Sequence, residues 1–340
     1  MKQRGLFDEA DRLQEISKLG DPLEKLNTVI DWNIFKPILK KAMQKEAKGP
    51  GGRPPYDYVM MFKILILQRF YNISDAQTEY QIKDRLSFMR FLGLTLNDAI
   101  PDDKTIWYFR EQLVKAKIND KLFDRFMKEL ENKNLISHQG SIIDATFVDV
   151  PKQRNKKEDN DKIKDGNIPE EWKKPEHKSM RAQKDADARW TKKNDETHYG
   201  YKSHVKADSK SKLILKYTVT SASVHDSQEL PNLVDNKDKS LYADSAYIGP
   251  KIENCLFKKR IENKICERGY RNKPLTKQQQ NKNRTKSKTR SRIEHIFGFM
   301  TNSMNGIFIR SIGLARAEFN IGLMNLTYNM CRYRFLSANS

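Results

Sequence analysis

Cysteine, long apolar runs and an apolar leader pattern are scarce or missing in this 340-residue sequence. Its cysteines are Cys255, Cys266 and Cys331, an odd number without metal-binding spacing, which argues against a disulfide framework or a zinc module. No apolar stretch approaches the ~18 residues that a membrane-spanning helix needs. No charged, then apolar, then small pattern opens the chain, so export is not expected. The sequence therefore predicts a cytoplasmic protein without a membrane partner.

Acidic residues are few relative to basic ones. The chain has 64 Lys or Arg against 44 Asp or Glu, which gives a formal net charge of +20 and a sequence pI near 9.6. Such a charge excess predicts a polyanionic partner, and in a chain without membrane features the expected partner is nucleic acid. At 39.9 kDa the chain is long enough for two domains, each with its own core.

Residues 1–135 are predicted to form a helical amino-terminal domain. Apolar residues recur at helical spacing, and Asp21-Pro22 is a typical helix start. A glycine- and proline-rich stretch, 48–55, predicts a loop between two helices. A compact helical array in a basic protein suggests a helix-turn-helix DNA-binding domain, with 74–91 as its recognition helix; the solvated face of a structural bundle explains the same charges equally well. The candidate DNA contacts in this stretch are Lys83, Arg85 and Arg90.

From residue 136 the pattern changes to strands, which predicts a second domain over 136–340. The stretch 141–148 is short and β-branched and carries Asp144 inside it. A buried Asp in an apolar strand is costly unless it is paired or metal-bound, so Asp144 is a candidate functional residue. A polar insertion at about 151–195 has few aliphatic residues and is expected to be partly disordered.

Further strand patterns follow the insertion. The stretches 199–207 and 213–221 alternate like a hairpin, 240–247 is a short strand containing Asp244, and 261–266 can form a last strand. Short helical patterns separate the later strands. This order is the ribonuclease-H-like plan, an α/β fold with a mixed sheet flanked by helices. In that plan the strands that carry Asp144 and Asp244 are parallel neighbours.

Glu294 supplies a third acid. Apolar residues recur at helix spacing around it, so Glu294 lies at a helix start, where an acid also complements the helix dipole. If that helix flanks the sheet, Asp144, Asp244 and Glu294 meet at one sheet edge. Three hard oxygen ligands suit Mg²⁺ or Mn²⁺. Two such ions ~3.5–4 Å apart would serve an in-line phosphoryl displacement.

The segment 268–292, directly before Glu294, contains ten Lys or Arg and no Asp or Glu. These cations repel one another unless a polyanion neutralises them, and few apolar side chains are present to pack the segment. The segment is therefore predicted to be mobile when free and to become ordered along a DNA backbone; the alternative is a solvated charge block. Its candidate phosphate contacts are Lys282, Arg284, Lys286, Lys288, Arg290 and Arg292.

A set of short motifs stands in a fixed order along the chain, at 144–148, 187–192 with 199–204, 224–227, 243–247 and 292–298. Together they resemble the motifs of the insertion-sequence-five group of bacterial DDE transposases, the InsH-like proteins. Residues near 52–113 also resemble the helical amino-terminal domain of that family, so the resemblance covers nearly the whole chain. Each motif alone is weak, whereas the ordered set is specific.

The resemblance implies that Asp144, Asp244 and Glu294 are the catalytic and metal-binding DDE triad. Arg290 matches an arginine that the wider group places four residues before the glutamate. The family's tyrosine and lysine positions are occupied by Ser287 and Thr301. The contacts to the terminal bases and phosphates of the DNA are therefore expected to differ from the family pattern. Further candidates are Lys202 as a DNA contact and His225 and His295 as supporting residues.

The resemblance further implies a function and its partners. The expected activity is divalent-metal-dependent cleavage at transposon ends, followed by strand transfer of the 3′-OH into target DNA, in a bacterial, nucleoid-associated protein. The expected partners are terminal inverted repeats and target DNA, bound by a homodimer or a larger assembly. Two alternatives stay open: a ribonuclease-H-like nuclease that cuts without joining, and a domesticated, non-catalytic DNA-binding protein. The complete triad argues against the second.

Overall fold

The computed structural model describes residues 8–44, 54–193 and 195–338, and most of the predicted glycine-rich loop lies outside them. The chain forms two compact units. The first comprises the chain up to Glu129 together with the chain from Leu326 onward, and the second is Leu130–Asn325. No helix within the described ranges is long and apolar enough to cross a membrane.

The first unit is built from helices, as predicted. They are α1 (Asp8–Lys18), α2 (Pro22–Val29), α3 (Lys36–Met43), α4 (Tyr58–Tyr71), α5 (Asp75–Asp84), α6 (Leu86–Leu92), α7 (Asp103–Lys115) and α8 (Asn119–Asn132). Helix α4 is the central one, because apolar residues all around it are buried. Asp57, Ser74 and Asp102 cap α4, α5 and α7 by accepting backbone N–H bonds, which explains where these helices begin.

The second unit contains a mixed sheet, which confirms the predicted fold class. Its strands are β1 (Ser141–Asp149), β2 (Arg189–Lys193), β3 (Glu196–Asp208), β4 (Ile214–Ser221), β5 (Ser240–Tyr242) and β6 (Glu262–Asn263). The order is β2-β3-β1-β5-β6, with β4 also pairing with β3. Strand β3 is antiparallel to β1, β2 and β4, whereas β1, β5 and β6 run parallel. Gly200 of β3 is required, because a Cβ there would lie 2.3 Å from the carbonyl oxygen of Val148.

The remaining helices follow strand β1 in the chain, and the last of them continues from the second unit into the first. They are α9 (Lys157–Lys164), α10 (Glu170–Lys173), α11 (Lys178–Ala182), α12 (Leu230–Leu233), α13 (Pro250–Lys258), α14 (Lys277–Arg290), α15 (Arg292–Asn302) and α16 (Leu314–Ser337). The insertion at 151–195, expected to be partly disordered, instead forms short helices and strand β2. Two of the few apolar residues of the insertion, Ile163 and Trp172, are buried, and their packing explains why the insertion is ordered.

A charged network surrounds the buried Lys206. Lys206 of β3 is 2% exposed, and its Nζ lies 2.6 Å from Asp235 and 3.0 Å from Asp238, which is itself 3% exposed. Asp238 also accepts a hydrogen bond from the Ser141 hydroxyl at the start of β1. Burial alone would raise the pKa of Asp235, but the Lys206 ammonium holds that pKa below its ordinary value. The network joins β1 and β3 to the loop before β5.

Replacing Lys206 by Met is expected to lower the free energy of unfolding by ~3–5 kcal/mol, because Asp238 would remain buried without its counter-charge. Urea unfolding of the variant measures this loss. Lys216→Met is the matched control, since Lys216 lies opposite Lys206 on β4 but is exposed. The control is expected to change stability by less than ~0.5 kcal/mol. Equal losses in both variants would contradict a role for the buried network.

Candidate active site

Asp144 and Asp244 are placed by the parallel pairing of β1 with β5. Ser141 pairs with Leu241 and Ile142 with Tyr242, an offset of 100 residues that also relates the two acids. The predicted strand 240–247 ends earlier than expected, at Tyr242. The reason is local: the Asp244 carboxylate accepts a hydrogen bond from the Ala246 N–H at 2.8 Å and so begins a 3₁₀ turn.

The environment of Asp144 disfavours its ionised carboxylate. Its side chain is 18% exposed, and Oδ1 accepts a hydrogen bond from the Ala145 N–H at 2.8 Å. Burial raises the pKa of Asp144 to about 6, and the negative charge of Asp244 contributes to that rise, while Arg290 and Lys193 oppose it. The two aspartates are therefore close enough to repel each other, and a cation between them would relieve that repulsion.

Arg290 connects Asp144 to Glu294. Helix α14 ends at Arg290 and α15 begins at Arg292, so Glu294 is in the first turn of a new helix, as predicted. One guanidinium nitrogen of Arg290 lies 3.4 Å from Asp144 Oδ2, and the other lies 3.2 Å from Glu294 Oε1. Glu294 is 61% exposed. Asp144 and Asp244 therefore form a pair that interacts through charge. Arg290 links Asp144 to Glu294, the third acid predicted from the sequence.

The donor set suits a hard divalent cation, but the ligands are not fully assembled. Asp144 and Asp244 provide carboxylate oxygens at one end of the parallel strands, and their mutual repulsion favours a bound cation. Within the described ranges, no group of three or more His, Cys, Asp or Glu side chains is close enough to hold a metal ion. The guanidinium of Arg290 balances the charges of Asp144 and Glu294 instead. A metal at this edge would be held by the aspartate pair, with Glu294 as the third donor.

Residues 277–290 of the basic segment form helix α14, whereas composition predicted a segment that is mobile when free. Thr276 and Gln279 form a capping box at the start of α14. Asn283 then exchanges two hydrogen bonds of 2.9 Å with the backbone of Glu267, and Lys286 donates to the Ile265 carbonyl at 2.8 Å. The prediction was wrong because it considered only apolar packing. The spacing of Thr276 and Gln279 is a helix-start signal that could have corrected it.

The cations of the basic segment divide into exposed and bonded ones. Lys286 is half-buried through its bond to Ile265, and Arg292 donates to the Ser209 carbonyl oxygen at 2.6 Å. Among the six candidate phosphate contacts of the segment, Lys282, Arg284 and Lys288 are exposed and make no such bond within the described ranges. Phosphate binding by these three is therefore the simplest to test.

Two other candidate DNA contacts, Lys202 and Arg90, are bonded within the protein, and DNA binding by them stays a prediction. Lys202 is buried, and its Nζ donates to the Val224 carbonyl oxygen and to Asp226, both at 2.8 Å. Arg90 donates to Asp21 at 2.6 Å and lies 3.4 Å from Glu24, so it ties α6 to α2. In both cases a partner distant in sequence neutralises the cation, which no local pattern reveals.

The predicted recognition helix 74–91 is interrupted. Arg85 has an extended backbone between α5 and α6, and its guanidinium lies 5.1 Å from the centre of the Phe88 ring. Lys83 is exposed but lies 2.6 Å from Glu79, one helical turn earlier. The stretch 74–91 therefore does not form one continuous recognition helix. DNA binding by Lys83 and Arg85 stays a prediction.

The two histidines predicted to support the site are exposed. The Nδ1 of His225 lies 2.7 Å from the Ser227 hydroxyl and caps the 3₁₀ turn Asp226–Gln228. His295 follows Glu294 on the exposed side of α15. Supporting roles for both stay predictions.

Sequence reasoning did not single out Tyr247. The tyrosine is 1% exposed and ends the 3₁₀ turn that Asp244 begins. Burial raises its pKa well above the ordinary value, and the negative charges of Asp144, Asp226 and Asp244 raise it further. The signal was present in the stretch 243–247, where a tyrosine follows the acid by three residues.

Comparison with protein families gives two matches over this chain. The family described as transposase DDE domain matches residues 136–330, which include the sheet and all three acids. A second family, described as transposase domain (DUF772), matches residues 11–112 of the helical unit. No solved structure matches the chain.

Proposed function

We propose that this chain, which belongs to the family of transposases with a DDE domain, cuts DNA at the ends of its element and joins the freed 3′-OH to target DNA. Membership makes the chain a DNA transposase of an insertion sequence, acting in transposition and DNA recombination. The observation that supports the cleavage and joining chemistry is the parallel pairing of Ser141 with Leu241 and of Ile142 with Tyr242, two to three residues before Asp144 and Asp244.

Each acid has a distinct place in the proposed site. The family generally uses divalent metal ions. Asp144 and Asp244 would hold Mg²⁺ or Mn²⁺ between the two strand ends, and Glu294, which is 61% exposed and bonded to Arg290, would complete the ligand set from α15. Bound there, two ions would supply Lewis acidity toward the attacking and leaving oxygens of an in-line displacement.

Arg290 is proposed to exchange partners when DNA binds. In the free chain its guanidinium is shared between Asp144 and Glu294. A phosphate offers two oxygens to the same planar fork, so the arginine can bind the scissile phosphate while releasing the glutamate. The exposed cations of α14 would hold the neighbouring phosphates and so pass the strand beside the acids.

An assay that separates cleavage from joining tests this function. A duplex carrying the element end and a supercoiled target plasmid are incubated with the chain and Mg²⁺ or Mn²⁺, and cut ends and joined products are counted separately. Joined products support a transposase, whereas cut ends without joined products would favour the nuclease alternative. Both ends must be held together for joining, so the mass of the complex should show at least two chains per pair of ends.

Arg290→Ala is expected to lower the cleavage rate at saturating DNA by about 10²-fold, because it removes charge stabilisation at the reacting phosphate. Arg290→Lys should recover only part of that rate, since an ammonium cannot bond two partners as a fork does. Single-turnover cleavage measures both. Arg292→Ala is the matched control, because Arg292 bonds the Ser209 carbonyl oxygen rather than an acid of the site. A wild-type rate in Arg290→Ala would exclude the arginine from the reaction.

A further inference from the structure

The hydroxyl of Tyr247 is buried without a hydrogen-bond partner in the described part of the chain. The ring lies in an apolar core whose members include Ile143 and Ala243, the residues directly before Asp144 and Asp244. A phenylalanine would fill that core equally well. A buried hydroxyl that bonds nothing destabilises the free chain, so its presence calls for a bound state in which it has a partner.

The surroundings of the hydroxyl limit what that partner is. The 3₁₀ turn containing Tyr247 starts at Asp244 and packs against the turn Asp226–Gln228. Asp226 is already bonded to Lys202 at 2.8 Å. Asp144 and Asp244 are the remaining acids whose charges act on the hydroxyl. A phenol kept neutral by its environment is a donor for an ionised carboxylate.

We infer that Tyr247 is a positioning residue, whose hydroxyl donates a hydrogen bond to the Asp144–Asp244 pair when that pair holds a divalent cation. The inference rests on the proposed function of the two aspartates. In the described part of the free chain the hydroxyl has no hydrogen-bond partner. When the pair holds the cation, the hydrogen bond fixes the carboxylate oxygens in one orientation, as donors behind the ligands do at other metal sites.

Tyr247→Phe tests this inference because it removes the hydroxyl and keeps the ring. The full-length chain is bound to a duplex that carries the precleaved element end, so no further hydrolysis occurs, and free Mn²⁺ is measured by electron paramagnetic resonance during a titration. The half-saturating Mn²⁺ concentration is expected to rise roughly tenfold, the lower end of the effect of losing such a donor. Without metal, the Tm should stay unchanged or rise by ~2–4 °C, because an unbonded buried hydroxyl has been removed.

Tyr201→Phe is the matched control. Tyr201 is also fully buried in the second unit, but its hydroxyl donates to Asp185, at 2.9 and 2.8 Å from the two carboxylate oxygens. Its removal should lower the metal-free Tm and leave the Mn²⁺ titration unchanged. The two substitutions therefore have opposite expected signs on stability and on metal affinity.

Three results would overturn the inference, and they are distinguishable. A Tyr247→Phe chain with the wild-type Mn²⁺ titration rejects the tyrosine and leaves the aspartates in place. A metal-free Tm that falls as far as in Tyr201→Phe shows that the hydroxyl already has a structural partner. A wild-type chain that binds Mn²⁺ no better than its Asp144→Asn variant rejects the proposed metal site and the tyrosine together.

Discussion

Replacing Asp144 or Asp244 by Asn should abolish DNA cleavage and joining, by on the order of 10³-fold or more, while binding to the element end stays within about twofold. The loss is large because the acids act as one unit, and removal of any member of such a unit costs nearly the whole catalytic effect. For the same reason the double variant should be no slower than either single variant. Single-turnover cleavage and binding isotherms on the same duplex measure the two effects separately.

The stability of the Asp144→Asn variant distinguishes lost chemistry from lost folding. The pKa of Asp144 is raised to about 6, first by burial and then by the charge of Asp244. An acid whose pKa is higher in the folded chain than in the unfolded chain favours folding less as pH rises through that value. At pH 7 the ionised Asp144 therefore opposes folding, and its neutral amide is expected to raise the Tm.

Asp149→Asn provides the matched control on the same strand. Asp149 ends β1 and is 55% exposed, so its replacement should affect neither cleavage nor Tm. Cleavage that survives in the Asp244→Asn variant would reject the proposed triad. An Asp144→Asn chain with a lowered Tm would instead contradict the stability gain expected from the raised pKa of Asp144.

The fold and the aspartate pair could be predicted because both follow from local pattern and chain order. The β-branched stretch before Asp144 and the short strand before Asp244 identify the strands. The ribonuclease-H-like order then makes those strands parallel neighbours, which the pairing of β1 with β5 confirms. Arg290 could be found from its spacing to Glu294, because four residues correspond to about one helical turn.

Ion pairs between distant segments could not be predicted in this way. Lys202 and Arg90 resemble free surface cations in the sequence, but each is neutralised by an acid from another element. Helix α14 was missed for a related reason, because side chain to backbone bonds such as that of Asn283 hold it in place. Apolar periodicity records which residues face a core and carries no information about such polar contacts.

The end of the chain provides another example. The predicted amino-terminal domain stops at residue 135, whereas the first unit also includes the chain from Leu326 onward. Within that unit the rings of Phe126 and Tyr333 lie 6.2 Å apart, and Arg334 donates to the Pro22 carbonyl at 3.2 Å. A fragment that ends near residue 135 would lose these contacts, so DNA-binding experiments on this unit need the full chain.

Neutralising three of the exposed cations of α14 should weaken binding to every DNA sequence alike. The triple change Lys282→Gln, Arg284→Gln and Lys288→Gln removes three candidate phosphate contacts. Each contact contributes about −0.9 to the slope of log affinity against log salt, so the slope should become shallower by roughly 2–3. At ~0.1 M salt, affinity is expected to fall on the order of 10²-fold. Fluorescence anisotropy at several salt concentrations, with an end duplex and an unrelated duplex, measures both quantities.

A variant of equal charge separates phosphate contacts from a general effect of net charge. Lys156, Lys157 and Lys164 are exposed in and beside α9, and their replacement by Gln changes the charge of the chain by the same amount. That control should lose little of the salt slope, since long-range attraction is screened within ~10 Å at 0.1 M salt. Because α14 is already folded through its bonds to Glu267 and Ile265, the triple variant should keep the wild-type Tm. If it also kept the full salt slope, the basic helix would be a solvated surface, and the path of DNA beside the acids would have to lie elsewhere.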